Sequence, residues 1–229
     1  MFKKMKLGTR IWLGFGALIV IVAGLAALSW VNLDRVNAEA QIIAIDCLPG
    51  TASAGKMEGC LRAYYVAVLR HLQADDAANR TEHRGEAKAR MAALQEALKK
   101  YEGTITLDED RQLFAKLLEA IKPFESHLEE VMVFSDQGKK DEAMAALEKS
   151  EEYANAAIAA AQAISEFNTR NGDQAGKRIT GILSAARFAL GVSSGAGIVI
   201  GLVMAFFITR GITRPVNRII QSLTDGANQ

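Results

Sequence analysis

Two uncharged apolar blocks, twenty residues from Ile11 to Trp30 and twenty-two from Phe188 to Thr209, constrain this chain more than any other feature. Each meets the roughly twenty residues that a helix needs to cross a bilayer. A purely soluble protein is therefore not expected. Basic residues flank both blocks. Lys3, Lys4, Lys6 and Arg10 give the first ten residues a charge of +4, and Arg210, Arg214 and Arg218 against Asp225 give the last twenty +2. With a total of +1, the residues between the blocks carry the balance of −5. Basic flanks stay in the cytoplasm, so the pattern predicts a hairpin: residues 1–10 inside, 11–30 a first span, 31–187 outside, 188–209 a second span, and 210–229 inside again. A cleaved signal peptide is the rival reading of the first block. Such apolar cores run about 7–15 residues and this one is longer, so an uncleaved anchor is preferred.

The second block is rich in small residues. Gly191/Gly195 and Gly197/Gly201 form two G-x-x-x-G pairs that would let helix backbones approach closely within a membrane. Small residues are common in membrane helices, so ordinary composition is the preferred reading of these pairs. Cys47 and Cys60 face an oxidising compartment in this topology. On one helix they stand roughly 20 Å apart, against the ~4.4–6.8 Å between α-carbons that a disulfide allows. A bridge between two copies of Cys47 stays open, but two small buried residues is the preferred reading.

Between the blocks, three prolines in the whole chain, Ala-rich stretches and little β-branched clustering leave no room for a sheet. Four helical stretches are expected instead. Leu33, Val36, Ala40, Ile43 and Cys47 follow a 3-4-3-4 seam, which Pro49-Gly50 should interrupt before Met57, Leu61, Tyr64, Val68 and Leu72 resume it. Ala74–Arg80 reads as a turn. Ala87, Met91, Leu94, Leu98 and Tyr101 make a second helix that Gly103 stops. Thr106 to Glu109 has the form of a capping box and opens a third helix, burying Leu113, Leu117, Ile121, Phe124, Leu128, Val131 and Met132. Pro123 should kink it. A fourth helix begins at the acids Asp141 and Glu142 and buries Met144, Leu147, Ala154, Ala157, Ala161 and Ile164. The expected fold is all-α: an up-down-up-down four-helix bundle set between two transmembrane helices that continue its first and fourth helices. The segments nearest the membrane, about 31–48 and 167–187, have no partners in the shorter helices, with Asn168 and Asn171 making the second of them partly polar. Pairing these arms from two chains would bury their seams, which argues for a homodimer.

No catalytic constellation is legible: no Gly-rich phosphate loop, no G-x-S-x-G, and no Cys/His spacing for zinc. An enzyme, a cofactor and a metal are therefore not expected. His71, His83 and His127 have no local ligand partner and read as solvated. Arg80–Lys100 alternates in sign like a solvated helix face, and no basic patch outside the membrane flanks suggests nucleic acid. The one candidate binding site is on the distal half of the first helix, where Arg62, Tyr65 and Arg70 lie beside the seam. Two guanidiniums near a helix interface can grip a carboxylate in bidentate fashion; ordinary surface ion pairs, worth little, are the default alternative.

The stretches Met5-Lys-Leu-Gly-Thr-Arg-Ile-Trp-Leu-Gly-Phe-Gly16, Leu48-Pro49-Gly50 and Phe207-Ile-Thr-Arg-Gly-Ile-Thr-Arg-Pro-Val-Asn-Arg-Ile219 carry a resemblance. The chain resembles the input half of a bacterial methyl-accepting chemotaxis receptor with a four-helix-bundle sensor domain, over essentially its whole length. The resemblance implies a homodimeric transducer of the bacterial cytoplasmic (inner) membrane with its sensor domain in the periplasm. It would bind a small-molecule ligand, or a periplasmic binding protein, at or near the dimer interface. A displacement of the fourth helix would then pass through the second span to a HAMP-like linker helix, with Arg214 and Pro215 at the junction. The family's ligand residues lie on the first and fourth helices, and only Arg62 matches them, loosely and by position. The linker stops after one helix here, so a fragment or a shortened receptor is implied. A coupling protein and histidine kinase would be reached only through a signalling domain absent from this chain. The same input architecture precedes histidine kinases and diguanylate cyclases, and a ligand-free structural or adaptor membrane protein is the competing class.

Overall fold

The computed structural model describes the backbone of residues 7–227, with side chains from Gly8 to Phe207 except at position 10, and again at 209–211 and 220. All the regular structure is helical: α1 is Leu7–Gln41, a π-helical turn covers Ile42–Cys47, α2 is Leu48–Gln73, α3 Ala77–Glu102, α4 Asp108–Asp136 and α5 Lys140–Ala227. No strand occurs among the described residues.

Pro49 does not break the first helix, contrary to the expectation of an interruption at Pro49-Gly50. A proline ring clashes with the carbonyl four residues back and offers no N–H to it. The π turn immediately before resolves this, because its hydrogen bonds reach one residue further: the Leu48 N–H bonds to the Ile43 carbonyl. Pro49 then sits in the first turn of α2, where a missing donor matters least. Pro123 lies inside α4 and does not end it.

The first turn is shorter than expected. Only residues 74–76 separate α2 from α3, because Asp76 caps α3 by accepting from the Asn79 N–H at 2.8 Å. The capping box at Thr106 does not form. Leu107 occupies the cap position with no side-chain bond, and the Thr106 hydroxyl donates instead to Asp46 at 3.2 Å. Three acids, Asp108, Glu109 and Asp110, still favour the start of α4 through the helix dipole. Gly138, at φ 69°, supplies the left-handed residue after α4.

The chain divides into two compact units. One runs from Ala38 to Lys177 and is the four-helix bundle. Its core contains Met57, Leu61, Tyr64 and Val68 from α2, Ala87, Leu94 and Tyr101 from α3, Leu117, Phe124, Leu128 and Val131 from α4, and Ala154, Ala157, Ala161 and Ile164 from α5. Phe114 is buried beside the half-buried Leu113. Met144 is exposed, contrary to expectation, and Ala143 and Ala146 take the inner positions. The ends of the bundle helices are better partnered than expected, as Cys47, Phe167, Asn168 and Ala175 are all buried. Cys47 is buried and Cys60 half-buried, and no disulfide joins them.

The other unit groups α1 up to Asn37 with α5 from Arg178. Its helices are long and apolar enough to cross a membrane. Trp12, Trp30, Phe188 and Ile198 are exposed on them, a surface that water does not favour. They touch at Gly14, where a β-carbon would run into the Met204 side chain. Gly191, Gly195, Gly197 and Gly201 instead have nothing within 4 Å of a β-carbon position.

Candidate functional site

The three side chains singled out on α2 fall into two grooves. Arg62 and Arg70 stand eight residues apart, on one face of the helix, and line a groove of about 460 Å³ between α2 and α3. Glu86 and Arg90, one turn apart on α3, complete its charged wall, and Gly59, Ala63, Val66 and Ala67 form its floor. Tyr65 lines a different groove, between α2 and α5, with Met144, Leu147, Glu148 and Glu151. Burial, and then the Glu151 charge, push its phenol up from its ordinary value.

The arginines are held differently. Arg62 donates through Nε and Nη2 to Glu58 Oε1, at 3.0 and 2.8 Å. The same oxygen accepts from Gln162 of α5 at 2.8 Å, so this one carboxylate links α2 to α5. The Arg62 and Gln162 bonds hold the Glu58 carboxyl below its usual range. Arg70 makes only a loose ion pair with Glu86, at 3.6 Å. Arg90 has no ion-pair partner among the described residues.

A second constellation lies where the α3–α4 connection meets the start of α2 and the first half of α5. The Tyr101 hydroxyl donates to Asp110 and accepts from Asn168 Nδ2 at 3.0 Å, and the same nitrogen also donates to the Ile164 carbonyl at 3.0 Å. All three side chains are buried. Gly50 leaves the room that Asn168 occupies, since a β-carbon there would collide with the amide. Around this knot, Arg170 reaches Glu109 at 3.0 Å. Burial raises the Asp110 carboxyl, with the Tyr101 hydrogen bond opposing it. Sequence reasoning took Tyr101 as an apolar heptad position and Asn168 as a polar flaw in a seam; a tyrosine in a core register is the signal that a partner for its hydroxyl had to exist.

The histidines differ from expectation in one case. His71 is fully buried rather than solvated, because α4 covers it. Its Nε2 lies 3.1 Å from Asp136 Oδ1, while Asp136 is also held by Arg84 at 2.7 Å. Burial, the largest cause, holds the imidazole below its ordinary 6.5; Asp136 opposes this, and Arg84 and Arg80 reinforce it. The folded chain thus binds fewer protons here than the unfolded one, so the stabilisation is complete above about pH 6.5 and lost as pH falls. Asp110, shifted upward, acts in the opposite sense at lower pH. Chemical denaturation of the wild type and His71→Gln at pH 7.5 and 5.5 isolates the histidine: the wild type should lose more stability on acidification than the variant, and equal losses would remove His71 from the account. His83 and His127 each face a glutamate three residues on, Glu86 and Glu130.

No group of three or more His, Cys, Asp or Glu side chains that could hold a metal occurs among the described residues. The side chains of Arg214 and Pro215 lie outside those described. Among curated proteins, none matches the chain. Residues 4–180 match a family model described as a four helix bundle sensory module for signal transduction. That match covers both the bundle and α1, and the helix composition and packed core agree with it. The chain belongs to this family of four-helix-bundle sensory modules.

Proposed function

We propose that the chain is the transmembrane input module of a bacterial chemoreceptor. The bundle, up-down-up-down in topology, lies outside the cytoplasm and senses a small polar ligand or a ligand-loaded binding protein. Two chains pair as a homodimer, with the exposed Ile45 and Leu48 and the glycine pairs of the second span available for the contact. Binding favours one of two positions of α5. The shift passes along that helix through the second span to the junction at Arg214 and Pro215.

The observation that carries this reading is the continuity of α5. One helix, Lys140–Ala227, holds the bundle's inner residues Ala154, Ala157 and Ile164 and also the apolar stretch Phe188–Thr209. An axial displacement at one end of a helix has no break in which to dissipate. The buried Asn168–Tyr101 hydrogen bond on the same helix supplies a discrete contact that two positions can make or break.

The test is a hybrid in which residues 1–229 are joined to the signalling half of a characterised chemoreceptor and expressed in cells with no receptors of their own. A hybrid that activates the kinase and changes that activity on addition of one member of a panel of organic acids, amino acids and sugars is the expected result. A hybrid that activates the kinase yet responds to none of them, with or without periplasmic extract, would mark the bundle as a structural spacer.

A further inference from the structure

We infer that the groove between α2 and α3 is a binding site for a small organic dianion, built within one chain and completed by Arg90. The inference rests on the sensor reading for its biological use but not for its chemistry. Arg62, Arg70 and Arg90 line the groove together, and Glu86 is the one carboxylate with them. Three guanidiniums against Glu86 and the Glu58 that Arg62 holds leave a net charge of +1. The surrounding sequence between the apolar blocks sums to −5, so this is a local reversal of sign. Such a concave surface attracts anions by its field before any contact is made.

The three cations are unequally engaged, and only Arg90 has no ion-pair partner among the described residues. Arg62 uses Nε and Nη2 on Glu58, which fixes its plane and leaves Nη1 without a partner among the described residues. Arg70 is 3.6 Å from Glu86, beyond hydrogen-bonding distance, and Glu86 is also approached by His83 at 3.3 Å. Arg90 is unpaired among the described residues. Planar guanidiniums of this kind match carboxylates in bidentate geometry.

The floor decides between inorganic and organic anions. Gly59, Ala63, Val66 and Ala67 present a shallow apolar surface that a bare phosphate would leave uncovered. A carbon chain bearing two carboxylates covers it while its ends reach the guanidiniums. A groove of about 460 Å³ is in the range of small-molecule sites. Because α2 and α3 of the same chain form both walls, the site does not need a second copy.

Calorimetry on the full chain in nanodiscs tests this, with succinate and citrate as probes and acetate and inorganic phosphate as controls. The expected result is saturable binding of succinate or citrate at one per chain, weakened by added salt, with acetate and phosphate much weaker. Arg90→Ala should reduce the affinity at least about tenfold, the effect of removing one charge-assisted hydrogen bond. Arg90→Lys should restore part of it. Arg90 is exposed, and an unchanged melting temperature confirms that each variant is folded. No binding at millimolar probe, binding at one per two chains, or affinity unchanged in Arg90→Ala would each overturn the site. The sensor reading fails separately: a hybrid receptor that answers to other compounds keeps that reading without this groove, and succinate bound by a silent hybrid keeps the groove without that reading.

Discussion

Phe124→Ala lowers the unfolding free energy of the bundle by about 3–5 kcal/mol. The ring is fully buried at the centre of the core and meets Tyr64 edge-on, at 5.6 Å between centroids and 66° between planes. Removing it therefore loses apolar transfer energy, the aromatic contact and the dispersion contacts of the cavity walls. Leu117, Leu128 and Leu61 belong to the same core and are themselves fully buried, so the surroundings have little freedom to collapse into the cavity. For a unit of this size the loss corresponds to a fall in melting temperature of about 6–20 °C, readable by circular dichroism in detergent. Leu118→Ala, on the same helix but exposed, is the control and should cost less than about 1 kcal/mol. Equal effects at the two positions would mean that Phe124 is not in a packed core.

Tyr101→Phe should cost about 2–4 kcal/mol although it removes one oxygen atom. That oxygen satisfies two buried partners, donating to Asp110 and accepting from Asn168. Both remain buried after the change, Asp110 at 2% and Asn168 at 1% exposure, so the desolvation of their polar atoms is no longer offset. Asn168 keeps its bond to the Ile164 carbonyl, which places most of the cost on Asp110. The Tyr101 hydroxyl lowers the Asp110 carboxyl against burial, so its loss lets that carboxyl rise further above 3.8. An ionised Asp110 then costs most at neutral pH, and protonation on acidification relieves it. The deficit of Tyr101→Phe relative to wild type should thus be larger at pH 7.5 than at pH 4.5. A double-mutant cycle with Asp110→Asn should show coupling. A deficit that does not change with pH, or no coupling, would remove the hydrogen bond from the account.

Most positions of large apolar side chains in α3 and α4 were readable from spacing, although Phe114 is buried where Leu113 was expected. Met91, Leu94 and Tyr101 in α3, and Leu117, Ile121, Phe124, Leu128, Val131 and Met132 in α4, are buried as their periodicity requires. Residue size stops being informative in α5, where Met144 faces out and Ala143 and Ala146 face in. Alanine suits any face of a helix, so a run of it does not mark which one is packed. Polar burial was hidden for the opposite reason. His71, Asp110 and Asn168 look like surface residues one at a time, and only packing supplies the partners that make their burial tolerable. The arginine groove was half legible: Arg62 and Arg70 share a face of α2, but Arg90 comes from another helix, twenty residues on. A basic patch assembled across two helices leaves no run of basic residues in the sequence.

The inner face of α5 resembles a rail more than a toothed rack. From Ala143 through Ala146, Ser150, Ala154 and Ala157 to Ala161, each buried residue ends at or within one heavy atom of its β-carbon. Leucine knobs seated in holes would have to climb out before a helix could move along its axis. Such small residues have almost nothing to lift, and only the half-buried Leu147, Tyr153 and Ile158 at the edges of this face pack against the core as larger side chains. Ile164 and Phe167 are the first large buried side chains beyond it, and Asn168 is pinned to Tyr101 just after them. The axial position of α5 within the bundle is therefore held most firmly around residues 162–168, by the Gln162–Glu58 bond, two wedges and a pin.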